Sequence, residues 1–191
     1  DQVRALLAFL GLADRPTLRS ADEPGFALQL DRLLIPPVLD AMLIPPGPDL
    51  RPLLVGWRAD YHRETLGTPE DQATDRAGND IDSWMVAGHH RVLMRSGLPV
   101  AMTGFNAALP EIVQIGGVYV PPDLRCRGHA RLAVALHLAE ARALGVRRAV
   151  LFAASGAAAR AYRAIGFQPT PPVALVLFDS PQFVGPQSVQ P

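Results

Sequence analysis

Lysine is absent from the chain. All 18 basic side chains among its 191 residues are arginine, and 18 Asp and Glu balance them, so the formal net charge is zero with histidine neutral. A neutral chain without a run of basic residues lacks the clustered charge that nucleic acid or an anionic membrane surface requires. No apolar stretch reaches the roughly 18 residues that a bilayer span needs. No basic-then-apolar leader opens the chain. Neither a nucleic-acid nor a membrane partner is therefore expected. Cysteine is nearly absent too: Cys126 stands alone, cannot form an internal disulfide, and fits a reducing cytoplasm. Charged residues make up only 19% of the chain against 49% hydrophobic ones, which excludes global disorder. The lysine-free, Ala- and Arg-rich composition suggests GC-rich coding and hence a bacterial source. The chain opens on Asp1 rather than Met, so residues preceding it are expected.

What is present divides unevenly. Residues 1–47 read as a short helix over Val3–Leu12, a polar stretch, an extended run over Phe26–Leu34, and a connector carrying Pro36-Pro37 and Pro45-Pro46. A second unit, residues 48–179, opens with helical character over Leu53–Leu66, closed by Gly67. The polar, Asp-rich Thr68–Asp80 reads as a loop before a short helix at Ile81–Ala87. Arg91–Arg95 and Val100–Phe105 flank Ser96-Gly97 as a hairpin. Ile112–Val120 reads as a strand whose Gly116-Gly117 pair marks a bulge or a close backbone approach. Ala130–Leu144 is apolar nearly all round and should be buried. A strand at Arg148–Phe152, a helix at Ala157–Ile165 and a strand at Val173–Phe178 follow. Residues 180–191 read as a flexible tail.

The informative stretch runs from Val118 through Tyr119, Val120 and Arg125 to Ala130: strand, short loop, helix start. The first N–H groups of a helix have no internal partners, and the helix dipole adds positive potential there, so such a turn is a ready anion site. Gly128 carries no Cβ to block a phosphate, and Arg125, Arg127 and Arg131 add charge. A diphosphate is the natural ligand. A plain structural turn decorated with surface arginines is the competing reading.

Two motifs resemble a known superfamily. Arg125-x-x-Gly128-x-Ala130 matches the Q/R-x-x-G-x-G/A signature of the GNAT acyl-CoA-dependent N-acetyltransferases. Ser155 through Phe167, with Ala158, Tyr162 and Gly166, is similar to that family's N-x-x-A-x-x-L-Y-x-x-x-G-F motif. One helix and one strand separate the two, as in the family, and the resemblance covers about residues 49–179. Ser155 stands where the family usually has Asn, and Ala161 where it usually has Leu. The resemblance implies a mixed α/β (α+β) fold whose central sheet has splayed parallel strands flanked by helices, with Ile112–Val120 and Arg148–Phe152 as the splayed pair. It also implies that residues 1–47 could be the remnant of a degenerate first half of a tandem protein; a simple N-terminal extension is the alternative.

The resemblance further implies acetyl-CoA as cofactor, its pantetheine arm along Val118, Tyr119 and Val120, and its diphosphate on the amides of Arg125, Cys126, Arg127, Gly128, His129 and Ala130. Ser155, Ala158 and Tyr162 complete the expected cofactor contacts. The family moves the acetyl group directly to an amine in a ternary complex. That chemistry needs a base for the ammonium proton, a donor for the developing oxyanion and a proton for the departing thiolate. Tyr162 occupies the position of the family's thiolate acid. Glu111, opening the cofactor strand, is the expected base, with Glu64 as a second candidate; a solvated surface role competes for both. Asn106 either binds substrate or caps the hairpin. Cys126 reads as a loop position rather than a nucleophile. The histidines, His62, His89, His90, His129 and His137, show no metal-ligand spacing, so no metal is expected. The expectation is thus an acetyl-CoA-dependent N-acetyltransferase acting on a small-molecule amine, with a homodimer as a candidate assembly. The alternative is a non-catalytic acyl-CoA-binding module, motivated by Ser155.

Overall fold

Alternating apolar residues build the sheet, and two strong turn signals set its middle. In the computed structural model, which describes residues 2–184, the chain runs α1 (Gln2–Phe9), β1 (Thr17–Gln29), β2 (Ala41–Ile44), α2 (Arg51–Tyr61), α3 (Glu70–Ala87), β3 (His90–Arg95) and β4 (Leu98–Ala108), then β5 (Ile112–Tyr119), α4 (His129–Ala143), β6 (Arg148–Phe152), α5 (Gly156–Arg163) and β7 (Gln168–Phe178). The seven strands form one sheet in the order β2-β3-β4-β5-β6-β1-β7. All neighbours are antiparallel except β5 and β6. This is a mixed α/β fold with one parallel pair at the centre of the sheet. Most of the tail expected at 180–191 lies outside the described residues.

Helices cover both faces. The apolar α4 buries Leu132, Ala133, Val134, Ala135 and Leu138 against β3, β4 and β5 on one face. On the other, Leu54 and Trp57 of α2 and Ile81 of α3 pack on Val92, Met102 and Tyr119. Four sequence expectations change. The stretch read as a loop, Thr68–Asp80, belongs almost wholly to α3, whose inner face is the small-residue series Ala73, Ala77 and Ile81. The helix read over Leu53–Leu66 ends its α-helical part at Tyr61 and widens into a π-helical turn, His62–Leu66, closed by Gly67 at φ +69°. The run read as Phe26–Leu34 is the end of a longer strand, β1, followed by a 3-10 turn at Leu30–Arg32. The edge strand β2, between the two proline pairs, carried no readable signal.

The glycine pair of β5 does two things. Gly117 has φ +61°, a conformation that costs other residues energy. A Cβ there would lie 3.0 Å from Trp84 and 3.1 Å from His90. Gly116 leaves the space that the Asn106 carboxamide fills from the neighbouring strand. The bulge and the close approach are both realised, and Asn106 lies across β5 rather than capping the hairpin turn at Ser96-Gly97.

Candidate active site

β5 and β6 pair at only three positions: Ile112 with Arg148, Val113 with Ala149, and Gln114 with Val150. Beyond Gln114 the two strands separate, because β6 continues along β1 (Leu151 with Phe26, Phe152 with Gly25) while β5 continues along β4 to Tyr119. The β6-facing edge of β5 from Ile115 to Tyr119 is therefore unpartnered, and an extended ligand can add to it as a strand would. A cleft of about 820 Å³ opens there. It lies at the carboxyl ends of the two parallel strands, where open α/β sheets bind ligands.

One end of the cleft is the loop before α4. Cys126 (φ +62°) and Gly128 (φ +79°) both adopt left-handed backbone, which turns the chain abruptly into the helix. Among the described residues, no hydrogen-bond acceptor is found for the backbone N–H groups of residues 126–131. Six free donors at the positive end of a 15-residue helix make an anion cradle. Cys126, Gly128, His129 and Ala130 line it, as does Arg131, whose Nε is buried without a partner. Arg127 is exposed and does not line the cleft. His129 is buried, and burial first, then Arg95 and Arg127, hold its pKa below the ordinary value. It is therefore a neutral group, and its backbone N–H is its contribution to the cradle.

Arg125 points elsewhere. Its Nε donates to the Val120 carbonyl at 2.9 Å and its Nη2 to Glu64 at 2.6 Å, while the guanidinium lies 5.5 Å from the centre of the Tyr119 ring. The start of α5 and the π-helical turn also line the cleft. Ser155 Oγ accepts from the Ala158 N–H at 3.2 Å, so its hydroxyl caps α5. Both residues line the cleft. Tyr162, one turn further, is 7% exposed and lines the cleft with a hydroxyl that makes no hydrogen bond among the described residues. Burial, then the nearby Tyr61 phenol, hold its proton well above the usual phenol range, so it remains a donor at any physiological pH.

Val118, Tyr119 and Val120 form the β5 wall. Glu111 is placed differently from the other expected site residues. It sits before β5 at the closed end of the parallel pair, with its side chain 71% exposed and 3.9 Å from Arg147. Its carbonyl receives the Arg147 and Arg148 N–H groups. It does not line the cleft, and the physical reason is register: the strands diverge only after Gln114. Glu64 does line it, and so do Tyr61, Thr65 and Arg19, which no sequence signal marked. Arg19 comes from β1 and donates to the Thr65 carbonyl at 2.8 Å and to Glu23 at 2.7 Å. Among the described residues no group of three or more His, Cys, Asp or Glu is arranged to hold a metal ion, and no helix is long and apolar enough to cross a membrane.

Comparison with known proteins agrees with this geometry. No curated protein matches the sequence. Solved structures do. A GCN5-related N-acetyltransferase from Kribbella flavida is 17% identical, with a TM-score of 0.58 over 84% of this chain and 59% of that one. An acetyltransferase of the GNAT family from Colwellia psychrerythraea is 16% identical, with a TM-score of 0.60 over 91% of this chain and 62% of that one. A predicted acetyltransferase from Clostridium acetobutylicum, solved with acetyl-CoA, is 17% identical, with a TM-score of 0.55 over 68% of this chain and 91% of that one. The chain thus spans about three fifths of the length of the Kribbella and Colwellia proteins. At these identities the likeness is one of fold. The family model "Acetyltransferase (GNAT) family" matches residues 54–167, from the middle of α2 to the end of the second motif, and the chain belongs to that family.

Proposed function

We propose that the protein moves an acetyl group from acetyl-CoA directly to the primary amine of a small-molecule acceptor, with both held together in the cleft. The observation that carries this reading is the divergence of β5 and β6, with the free amides of the loop before α4 and the Tyr162 hydroxyl lining the opening between them. Acetyl-CoA, when bound, supplies the activated thioester. The loop amides and Arg131 hold its diphosphate, and the free edge of β5 orients its pantetheine arm. Tyr162 holds a proton in a water-poor position beside the diverging strands and donates it to the sulfur that leaves. With Glu111 outside the cleft, Glu64 is the carboxylate placed to accept the acceptor's proton, directly or through water. Orientation of the two reactants supplies the remaining acceleration.

Calorimetry with CoA and a thiol-release assay across a panel of primary amines test the reading together. Tyr162→Phe should lower kcat by roughly a hundredfold, the size expected for one acid–base group, and leave CoA affinity within about twofold. Equal losses in both quantities would make Tyr162 a binding residue instead. CoA binding without turnover of any amine would favour the non-catalytic module. Absence of CoA binding would remove both.

A further inference from the structure

Resting on the acyl-CoA reading above, we infer that the Arg125–Glu64 ion pair is a strap across the cleft which the cofactor's diphosphate opens, and that the released Glu64 is the seat for the cation of the acceptor. The pair links the loop before α4 to the π-helical turn. Arg125 lines the cleft just before the loop amides that form the cradle, and Glu64 belongs to the π-helical turn beside Tyr61 and Thr65. Their side chains meet at 2.6 Å and are 43% and 42% exposed. An exposed pair of this kind contributes little net stability, so a doubly charged diphosphate on the neighbouring amides can outcompete the single carboxylate for the guanidinium. The Val120 carbonyl, 2.9 Å from Arg125 Nε, keeps the arginine at the loop whichever anion it serves.

Release changes the charge at the other wall. Asp60 is already occupied by Arg63, Glu23 by Arg19, and Asp80 by Arg58 and His62. With Arg125 withdrawn, Glu64 alone is left without a cation. The Tyr119 hydroxyl lies 3.4 Å from both Glu64 Oε1 and Asp60 Oδ2, and its single proton is shared between them. It cannot neutralise Glu64, so a negative, half-exposed carboxylate stands free at the edge of the cleft. A primary ammonium satisfies it by charge and by hydrogen bonding. The consequence is that affinity for the acceptor's cation at Glu64 depends on whether a diphosphate holds Arg125. The free enzyme presents a satisfied pair at that position, and the loaded enzyme presents an unsatisfied carboxylate.

Glu64→Gln separates a strap from a support. If Glu64 competes with the diphosphate, the variant binds CoA more tightly, by about two- to fivefold for an exposed pair. If Glu64 instead holds Arg125 ready for phosphate, or does nothing, CoA binding weakens or stays the same, and either result overturns the strap. The second half is read by saturation-transfer NMR with benzylammonium as probe. It should bind wild-type protein saturated with CoA, bind several-fold more weakly without CoA, and lose the effect of CoA in Glu64→Gln. Binding indifferent to CoA, binding retained in the variant, or no binding at all overturns the cation seat. A wild-type protein that binds no CoA defeats the acyl-CoA reading itself, an outcome distinct from tight CoA binding that Glu64→Gln leaves unimproved.

Discussion

His90 and His137 are buried with ring nitrogens that find no partner among the described residues. His90 stacks on Trp84 at 3.7 Å between ring centres, and His137 on Phe105 at 3.9 Å. Both are pushed down to about 3, first by burial, then by neighbouring basic side chains that disfavour a second charge: His137, Arg58, His89 and Arg91 for His90, and Arg91 and His89 for His137. The unfolded value is about 6.5, so the folded chain keeps both rings neutral while the unfolded chain protonates them. Their contribution to stability is complete above pH of about 6.5 and is lost progressively as the pH falls toward 3. Each histidine adds a slope of up to about 1.4 kcal/mol per pH unit. Urea midpoints from pH 7 to pH 5 read this before most carboxylates titrate, and His137→Leu should flatten the slope by about one histidine's share. An unchanged slope would place the acid sensitivity elsewhere. At this scale the sequence was most legible where chemistry constrains the residue type. The loop before α4 and Tyr162 stood out because both fall in short motifs of fixed spacing, and both line the cleft. Arg19 and Tyr61 did not, because their place in the cleft follows from which strand lies beside β6, and no local pattern encodes that.

The π-helical turn shows how one element positions the site. Neutral His62 uses both ring nitrogens: Nε2 lies 2.9 Å from Asp80 Oδ2 and Nδ1 3.2 Å from the Thr68 hydroxyl. The consistent assignment has Nε2–H donating to the carboxylate and Thr68 donating to Nδ1. Burial lowers the His62 pKa despite Asp80, which keeps that tautomer. Asp80 also accepts from Arg58 at 2.6 Å, so one carboxylate of α3 ties down both α2 and the turn that carries Glu64 and Thr65. Asp80→Ala leaves a mostly buried guanidinium and an imidazole without their acceptor. It should cost about 1–3 kcal/mol and speed amide exchange over His62–Leu66 more than over α4. Uniform acceleration would mean that Asp80 contributes only to global stability. The first part of α3, through Asp80, was unreadable as a helix, while its end was read at Ile81–Ala87. Its buried positions, Ala73, Ala77 and Ile81, keep helical spacing, but alanine is too small to raise the apolar periodicity above the surrounding Asp, Glu, Arg and Gly78. α4, whose buried positions hold Leu132, Val134 and Leu138, was legible throughout.

At the scale of the whole molecule, the first strand of the chain closes the sheet. β1 lies between β6 and β7, pairing Gly25–Gln29 with Arg148–Phe152 on one side and Thr17–Ala27 with Gln168–Phe178 on the other. β7 has β1 as its strand neighbour in the described sheet. Phe26, Leu28 and Leu30, each under 5% exposed, pack in the same cluster as Leu151, Ile165 and Phe167. The Leu30 N–H donates to the Arg147 carbonyl at 2.8 Å, and Arg142 donates to the Leu30 carbonyl at 3.0 Å. Burying three such side chains is worth roughly 1.5–3 kcal/mol each, a sum comparable with the entire net stability of a domain. We therefore propose that residues 1–47 are required by the fold of residues 48–179, whatever their ancestry. A fragment beginning at residue 48 would leave β7 without a partner and open the outer edge of β6 at the cleft. It should show no cooperative thermal transition and no CoA binding, whereas the full chain shows both. Adding back a peptide of residues 12–34 should restore part of each, because β1 and the turn after it supply two strand edges and three core side chains in one segment. A fragment that melts cooperatively and binds CoA unaided would show instead that β6 and β7 close on each other once β1 is gone.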